Sequence, residues 1–410
     1  MTTDTLTSAH YAIELEEKYG AHNYHPIPVV LAKGEGIHLW DVEGKHYFDF
    51  LSAYSAVNQG HCHPRIIAAL TEQAQKLTLT SRAFYNDKLG ECEKFIAEFF
   101  GYDKVLMMNS GAEANETALK IARKWGYEVK GIPPNEAVIV GVERNFHGRT
   151  LGIISASTDK TSTNNFGPFM PGYDIIPYND LIALEKALQN PNVCTFWVEP
   201  IQGEAGVFVP DAGYLKGAYE LCRKYNVLFM ADEVQTGIGR TGKMLCCEHE
   251  GVRADIVILG KALSGGVLPV SVVLADDAVM MVIKPGEHGS TFGGNPLACA
   301  VAVAALQVIK DEKLAENAAY LGEVFRSRMR NLQAKTPLVK AVRGKGLLNA
   351  IDVQEKDGKT AWDMCLTLME NGLLAKPTHG DKIRFAPPLV INEEQLHECC
   401  DIIEKVVLDF

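Results

Sequence analysis

Phe229-Met230-Ala231-Asp232-Glu233-Val234-Gln235 and, 29 residues beyond Asp232, Ile258-Leu259-Gly260-Lys261-Ala262-Leu263-Ser264-Gly265-Gly266 decide the fold. Each is a short apolar run that ends near one charged residue and then turns. Such runs, bounded by turn residues, read as strands covered on both faces. A charged residue at the carboxyl end of such a strand stands where open α/β sheets bind their ligands. Working outward, similar runs at 104–108, 137–142, 193–198, 227–231 and 255–259 alternate with helical patterns such as 112–125 and 213–225. The stretch from about 57 to 308 therefore predicts an α/β domain around a mostly parallel sheet. Beyond 310 the pattern changes to helices, short strands such as 350–353, and polar turns, which predicts a smaller α+β unit. The expected organisation is an N-terminal segment, 1–54, packing with the small domain, a large domain over 55–311, and a small C-terminal domain over 312–410.

The 410 residues are 47% hydrophobic and 22% charged, an ordinary globular composition that excludes disordered, collagen-like and disulfide-scaffold chains. Forty Lys and Arg against 51 Asp and Glu leave a net charge of -11, so nothing favours nucleic acid or an anionic membrane as a partner. The longest apolar run, 297–306, is about half of the roughly 20 residues that span a bilayer and predicts a buried helix. Ten scattered cysteines without CxxC spacing read as reduced thiols. His61-Cys62-His63 has no second cluster to complete a tetrahedral site, so no metal is expected. The first 20 residues contain no arginine and no apolar h-region. Cytoplasm is the expected compartment, with the mitochondrial matrix open to a chain that has lost a presequence.

Two constellations carry chemistry. In the run 105–113 a strand ends at Met108, a Ser-Gly pair turns the chain, and Ser110-x-x-Glu113 caps an Ala-rich helix. Such a helix start offers unpaired N–H groups to a phosphate, although it is also simply a capped helix. Asp232 and Lys261 each have an ordinary explanation alone, as a helix cap and a solvated cation. Together at two strand ends they fit pyridoxal phosphate, which needs a lysine for a Schiff base and an acid to keep its ring nitrogen protonated.

Four motifs in this order resemble the class III, fold-type I aminotransferases: Ser110-Gly111-Ala112-Glu113-Ala114, Asp232-Glu233-Val234-Gln235-Thr236-Gly237, Gly260-Lys261-Ala262-Leu263-Ser264-Gly265-Gly266 and His288-Gly289-Ser290-Thr291-Phe292-Gly293-Gly294-Asn295-Pro296. The resemblance runs from about 19 to 410. It implies that Lys261 holds pyridoxal 5'-phosphate and shuttles the proton, that Asp232 pairs with the ring nitrogen, and that Gln235 bonds the ring hydroxyl. Ser110, Gly111 and Ala112 would bind the phosphate, with Phe146 and Val234 on the two ring faces. Ser290 and Thr291 would reach the phosphate of a neighbouring subunit, which makes a homodimer the smallest active unit. Glu204 resembles the family's switching carboxylate, paired with Arg384 while a cationic donor binds and released when a keto-acid carboxylate arrives. Arg149 would hold a second carboxylate.

Four further stretches, at 20–28, 52–64, 81–85 and 372–380, resemble the ornithine δ-aminotransferase branch. They imply that Tyr24 contacts the α-amino group of L-ornithine, that Tyr54 shapes the pocket, and that 2-oxoglutarate is the acceptor. His147 stands where some members of that branch carry Trp. Acetylornithine or 4-aminobutyrate transamination on the same scaffold is the alternative. A cofactor-binding regulator without turnover is disfavoured by the intact Lys261, Asp232 and both arginines.

Overall fold

The computed structural model describes residues 9–410, so the first eight residues of the leader reading and of the 1–54 segment lie outside the described residues. A helix, Ala9–Tyr19, comes first among the described residues, and three strands follow it, β1 (Leu31–Glu35), β2 (His38–Asp41) and β3 (His46–Asp49). The central sheet follows with β4 (Lys104–Met108), β5 (Val138–Val142), β6 (Tyr173–Ile176), β7 (Val193–Val198), β8 (Leu228–Asp232), β9 (Ile256–Leu259) and β10 (Ser271–Ala275). Its order is β4-β10-β9-β8-β7-β5-β6, and only β10 runs against its neighbours. This is the mostly parallel α/β sheet expected of 57–308. Two of its strands were not among the expected runs. β6 is an edge strand interrupted by the exposed Asp174, so it lacks a continuous apolar signal. β10 is wholly buried but follows the Gly- and Pro-containing stretch 265–269, which reads as turn.

Side-chain parity divides the sheet into two cores. In β9, Ile256 and Ile258 join the cluster built on the helix Gly111–Trp125, whereas Val257 and Leu259 join the cluster on the opposite face. In β8, Leu228 and Met230 take the helix side and Phe229 and Ala231 the other, so Asp232 falls on the helix side by alternation. In β7 an extra residue at Cys194 shifts the register against β5, because Val138 pairs with Val193 and Ile139 with Thr195. Beyond that bulge the parity is reset, and Trp197 also faces the helix side. The apolar run 297–306 lies within the largely buried helix Pro296–Asp311. Among the described residues no helix is long and apolar enough to cross a membrane.

The C-terminal part forms β11 (Val339–Lys345), β12 (Leu348–Val353), β13 (Leu373–Leu374), β14 (Lys376–Thr378) and β15 (Lys382–Phe385). An antiparallel sheet takes the order β11-β12-β15-β14, while β13 leaves it and pairs in parallel with β3, Leu373 opposite Phe48. All ten cysteines are free, and Cys246, Cys247, Cys399 and Cys400 are buried with thiols pushed up by that burial, which disfavours the reactive thiolate.

The long helix Leu314–Lys335 packs closely on the turn between β11 and β12. A Cβ at Gly322 would lie 2.0 Å from the backbone oxygen of Gly346. Replacing a mid-helix glycine by alanine ordinarily stabilises by about 1 kcal/mol. Here the sign should reverse: Gly322→Ala is expected to destabilise by about 1–3 kcal/mol through backbone overpacking, read as a lowered Tm. A raised Tm would refute the close approach.

Candidate active site

β4, β5, β7, β8 and β9 share one direction, so their carboxyl ends lie along one edge of the sheet. Residues at or just past those ends line a single cavity. Gly111 and Ala112 follow β4, Phe146 and His147 follow β5, Glu199 follows β7, Asp232 ends β8 with Val234 and Gln235 beyond it, and Lys261 follows β9. Glu204 completes the wall.

Asp232 is 4% exposed, and its carboxylate is fixed by donors from three directions. Asn115 Nδ2 donates to Oδ2 at 3.0 Å, His147 Nδ1 reaches the same oxygen at 2.6 Å, and the Val234 N–H donates to Oδ1 at 3.1 Å. With the carboxylate accepting, the shared proton belongs to His147 Nδ1. The imidazole stacks on Trp197 with ring centroids 3.7 Å apart, and the Trp197 Nε1–H donates to Asn115 Oδ1 at 3.0 Å. Asn115 also donates to the Gly111 oxygen at 2.9 Å, so one amide ties the helix start, the tryptophan and the acid together.

The helix Gly111–Trp125 begins with the expected capping box: Ser110 Oγ accepts from the Glu113 N–H at 3.2 Å, and Glu113 Oε2 accepts from the Ser110 N–H at 2.8 Å. The N–H groups of Gly111 and Ala112, at the positive end of the helix dipole, are left for a ligand.

Lys261 opens a 3-10 turn with a left-handed backbone, φ 45°, a conformation that costs a non-glycine residue on the order of 1–3 kcal/mol and collects at functional positions. Burial lowers the pKa of its amine, and Arg384 adds to that while Glu204 and Asp232 oppose it. A lysine so placed is more readily a neutral nucleophile. Glu199 accepts from the Phe146 N–H at 2.8 Å, and complete burial followed by the neighbouring Asp232 holds its carboxyl well above the usual range. Gln235 approaches Gly203 so closely that a Cβ there would lie 1.4 Å from Gln235 Oε1, and that oxygen is buried with no hydrogen-bond partner among the described residues.

Above the cavity, Arg384 on β15 binds Glu204 through both terminal nitrogens, Nη2 at 3.3 Å from Oε1 and Nη1 at Oε2. Burial would raise the Glu204 pKa, but Arg384 and Lys261 hold it below the usual carboxylate range. The guanidinium lies 4.9 Å from the ring centre of Tyr54. That tyrosine sits in a turn, Ser52–Ser55, in which all four residues have positive φ. Asp49 Oδ1 secures the turn by accepting the N–H groups of Leu51 and Ser52, both at 2.8 Å.

The remaining expected residues lie off the cavity wall. Arg149 is exposed, donates to Ser162 Oγ at 2.7 Å and passes 5.4 Å from the Phe146 ring centre. Tyr24 is 70% exposed, with its ring 5.9 Å from Lys376 Nζ. Ser290 Oγ accepts from Asn109 Nδ2 at 2.9 Å, and Thr291 is exposed. Among the described residues no group of three or more His, Cys, Asp or Glu could hold a metal ion.

Reading the sequence missed Asn115, Trp197 and the contact that His147 makes, and gave Glu199 no role. Glu199 had a visible signal, since it directly follows the all-buried β7 as Asp232 ends β8. Asn115 had a weaker one, as an amide amid the alanines of a buried helix face.

Residues 19–407 match the family described as aminotransferase class-III. The ornithine aminotransferase, mitochondrial, of Rattus norvegicus is 62% identical over 403 residues, covering 98% of this chain and 91% of the relative. A solved ornithine aminotransferase from Toxoplasma gondii, with PLP at partial occupancy in its active site, is 54% identical, superposes with a TM-score of 0.97, and shares 98% of this chain and 95% of its own. A solved acetylornithine aminotransferase from Elizabethkingia anophelis is 62% identical with a TM-score of 0.90, covering 98% of this chain and 99% of its own. Family match, identity and coverage agree with the sheet-edge cavity in one conclusion: the chain belongs to the class-III aminotransferase family.

Proposed function

We propose that the chain transfers the δ-amino group of L-ornithine to 2-oxoglutarate, giving L-glutamate 5-semialdehyde and L-glutamate in two successive half-reactions on pyridoxal 5'-phosphate. The observation that carries this reading is a buried amine, Lys261, and a buried carboxylate, Asp232, at the ends of adjacent strands beneath the Glu204–Arg384 ion pair. When bound, the cofactor supplies an electrophilic carbon and a protonated pyridine ring that accepts the electron pair left on the substrate carbon.

The donors and acceptors present fit that group. Asp232 Oδ1 accepts one hydrogen bond, from Val234, and keeps capacity for a ring N–H. The orphaned Gln235 Oε1 suits a ring hydroxyl. The free N–H groups of Gly111 and Ala112, beside Ser110, suit a phosphate. Phe146 and Val234 would hold the ring between them.

Lys261 would bind the cofactor and carry the proton that moves at the substrate carbon. Asp232, oriented by Asn115 and His147, would keep the proton on the ring nitrogen. Glu204 would mask Arg384 while ornithine binds, with Tyr24 and Arg149 holding its α-amino and carboxylate groups and Tyr54 bounding the pocket. For 2-oxoglutarate, Arg384 and Arg149 would take the two carboxylates, a task suited to planar guanidinium groups.

In the same reading, residues 1–54 pack with the small domain, 55–311 hold the cofactor and 312–410 deliver Arg384; the β3–β13 pairing supports this division. The exposure of Thr291 and the position of Ser290 outside their own chain's cavity support service to a second copy, hence a homodimer. Ten free cysteines suit a reducing compartment, cytoplasmic or mitochondrial.

With 2-oxoglutarate as acceptor, ornithine should exceed both N-acetylornithine and 4-aminobutyrate in kcat/KM, measured by glutamate formation and trapped pyrroline carboxylate. Preference for either competitor would overturn the donor assignment. Lys261→Ala should abolish the absorbance of covalently held cofactor and lower kcat by about 10²–10⁴-fold; a persisting band would refute its attachment role. Glu204→Ala should alter the ornithine and 2-oxoglutarate half-reactions unequally, and equal losses would count against gating.

A further inference from the structure

A carboxylate that leaves its cation inside a protein needs another partner. The Arg384 side chain is almost wholly buried and that of Glu204 is 25% exposed; Arg384 balances the desolvation of Glu204, and parting a largely buried pair is costly because it leaves a poorly solvated charge. The gate proposed above is therefore eased by a second cation within reach of the Glu204 carboxylate when Arg384 turns to a substrate.

Lys376 is the cation whose position suits that role. It lies on the edge strand β14 directly opposite Arg384 on β15, so the two side chains share a face of the sheet. Thr378, two residues on and thus on the same face, donates its hydroxyl to the Glu204 backbone oxygen at 2.9 Å. β14 is thereby docked on the loop that carries Glu204. The Lys376 ammonium is half-buried, and among the described residues its Nζ makes no hydrogen bond and no ion pair; the Tyr24 ring centre lies 5.9 Å from it. Like charges opposite one another across a sheet are unfavourable unless an anion lies between them. Burial and then Arg384 lower the Lys376 pKa, and Glu204 opposes both. Other cations close enough to act on Glu204 are Lys261, which the proposed function commits to the cofactor, and His379.

We propose that Lys376 is the alternate partner of Glu204, receiving its carboxylate when Arg384 engages the carboxylate of the keto-acid substrate. Glu204 thus moves between two cations on one sheet face rather than from a cation to nothing. Lys376 acts through Glu204 and is a positioning residue for the acceptor half-reaction. The inference rests on the Glu204–Arg384 gate, and its test separates the two.

The probe is glutarate, a dicarboxylate that lacks the reacting carbonyl, titrated into the holoenzyme, together with separate measurement of each half-reaction. Lys376→Met should weaken glutarate about tenfold, the order of one lost ion pair. It should raise the KM for 2-oxoglutarate with little change in kcat, and move the ornithine half-reaction less. Lys376→Arg should restore most of the loss. In a Glu204→Ala background, Lys376→Met should add less than about twofold, since the carboxylate it serves is gone. Unchanged glutarate affinity in Lys376→Met would overturn the proposal. So would equal losses in both half-reactions, or an undiminished effect in the Glu204→Ala background, which would mean that Lys376 acts on the ligand itself or on His379. If Glu204→Ala alone slows both half-reactions equally, the gate fails; if it is asymmetric while Lys376→Met is silent, only the Lys376 role fails.

Discussion

The Asp232 carboxylate is the constraint around which the site is arranged. A buried carboxylate persists only when its oxygens are satisfied, and here the donors come from a helix, a loop and its own strand end. Each donor is itself held. Asn115 is fixed by Gly111 and Trp197, and His147 by stacking on Trp197. Trp197 reaches them because the bulge at Cys194 resets the parity of β7. A single inserted residue thus decides whether the indole faces the active-site helix or the opposite core. Removing Asn115 would also release its bond to Gly111, at the start of the helix whose first residues line the cavity.

The site sits at a seam. Lys261, Asp232 and the helix start belong to the central sheet, whereas Arg384 rides on β15 of the C-terminal sheet. Arg240 supports this junction: it is wholly buried and donates to Asn58 Oδ1 and to the oxygens of Leu347 and Pro387, the last only three residues from Arg384. In the proposed function, Arg384 therefore brings its carboxylate site from one part of the chain to chemistry done on another, with the Glu204–Arg384 pair bridging them.

Much of this was legible in sequence because burial on both faces makes strands such as 193–198 and 255–259 nearly continuous in apolar residues. Asp232 and Lys261 stood out as charges against that background. β6 and β10 were not legible, one because an edge strand tolerates Asp174, the other because a glycine-rich turn precedes it. Asn115, His147 and Trp197 acquire meaning only as partners: their contacts with one another and with Asp232 span 32 to 117 positions of sequence, and no local pattern encodes them. Glu199 was readable by the rule applied to Asp232. Tyr24, Arg149, Ser290 and Thr291 came solely from family resemblance, since their surroundings give no physical signal of a site in one isolated chain.

The left-handed turn at Ser52–Ser55 has an evolutionary corollary. A left-handed backbone costs an L-residue roughly 1–2 kcal/mol, and all four positions are non-glycine. β-branched side chains are the least tolerant of that geometry. Drift at Tyr54, which borders both Gln235 and Arg384, is therefore confined to a narrow set of unbranched side chains. A lineage seeking a new amine donor would be steered toward exchanges among aromatic, amide or small residues at this position, with isoleucine, valine and threonine closed off by backbone geometry before substrate fit is ever tested.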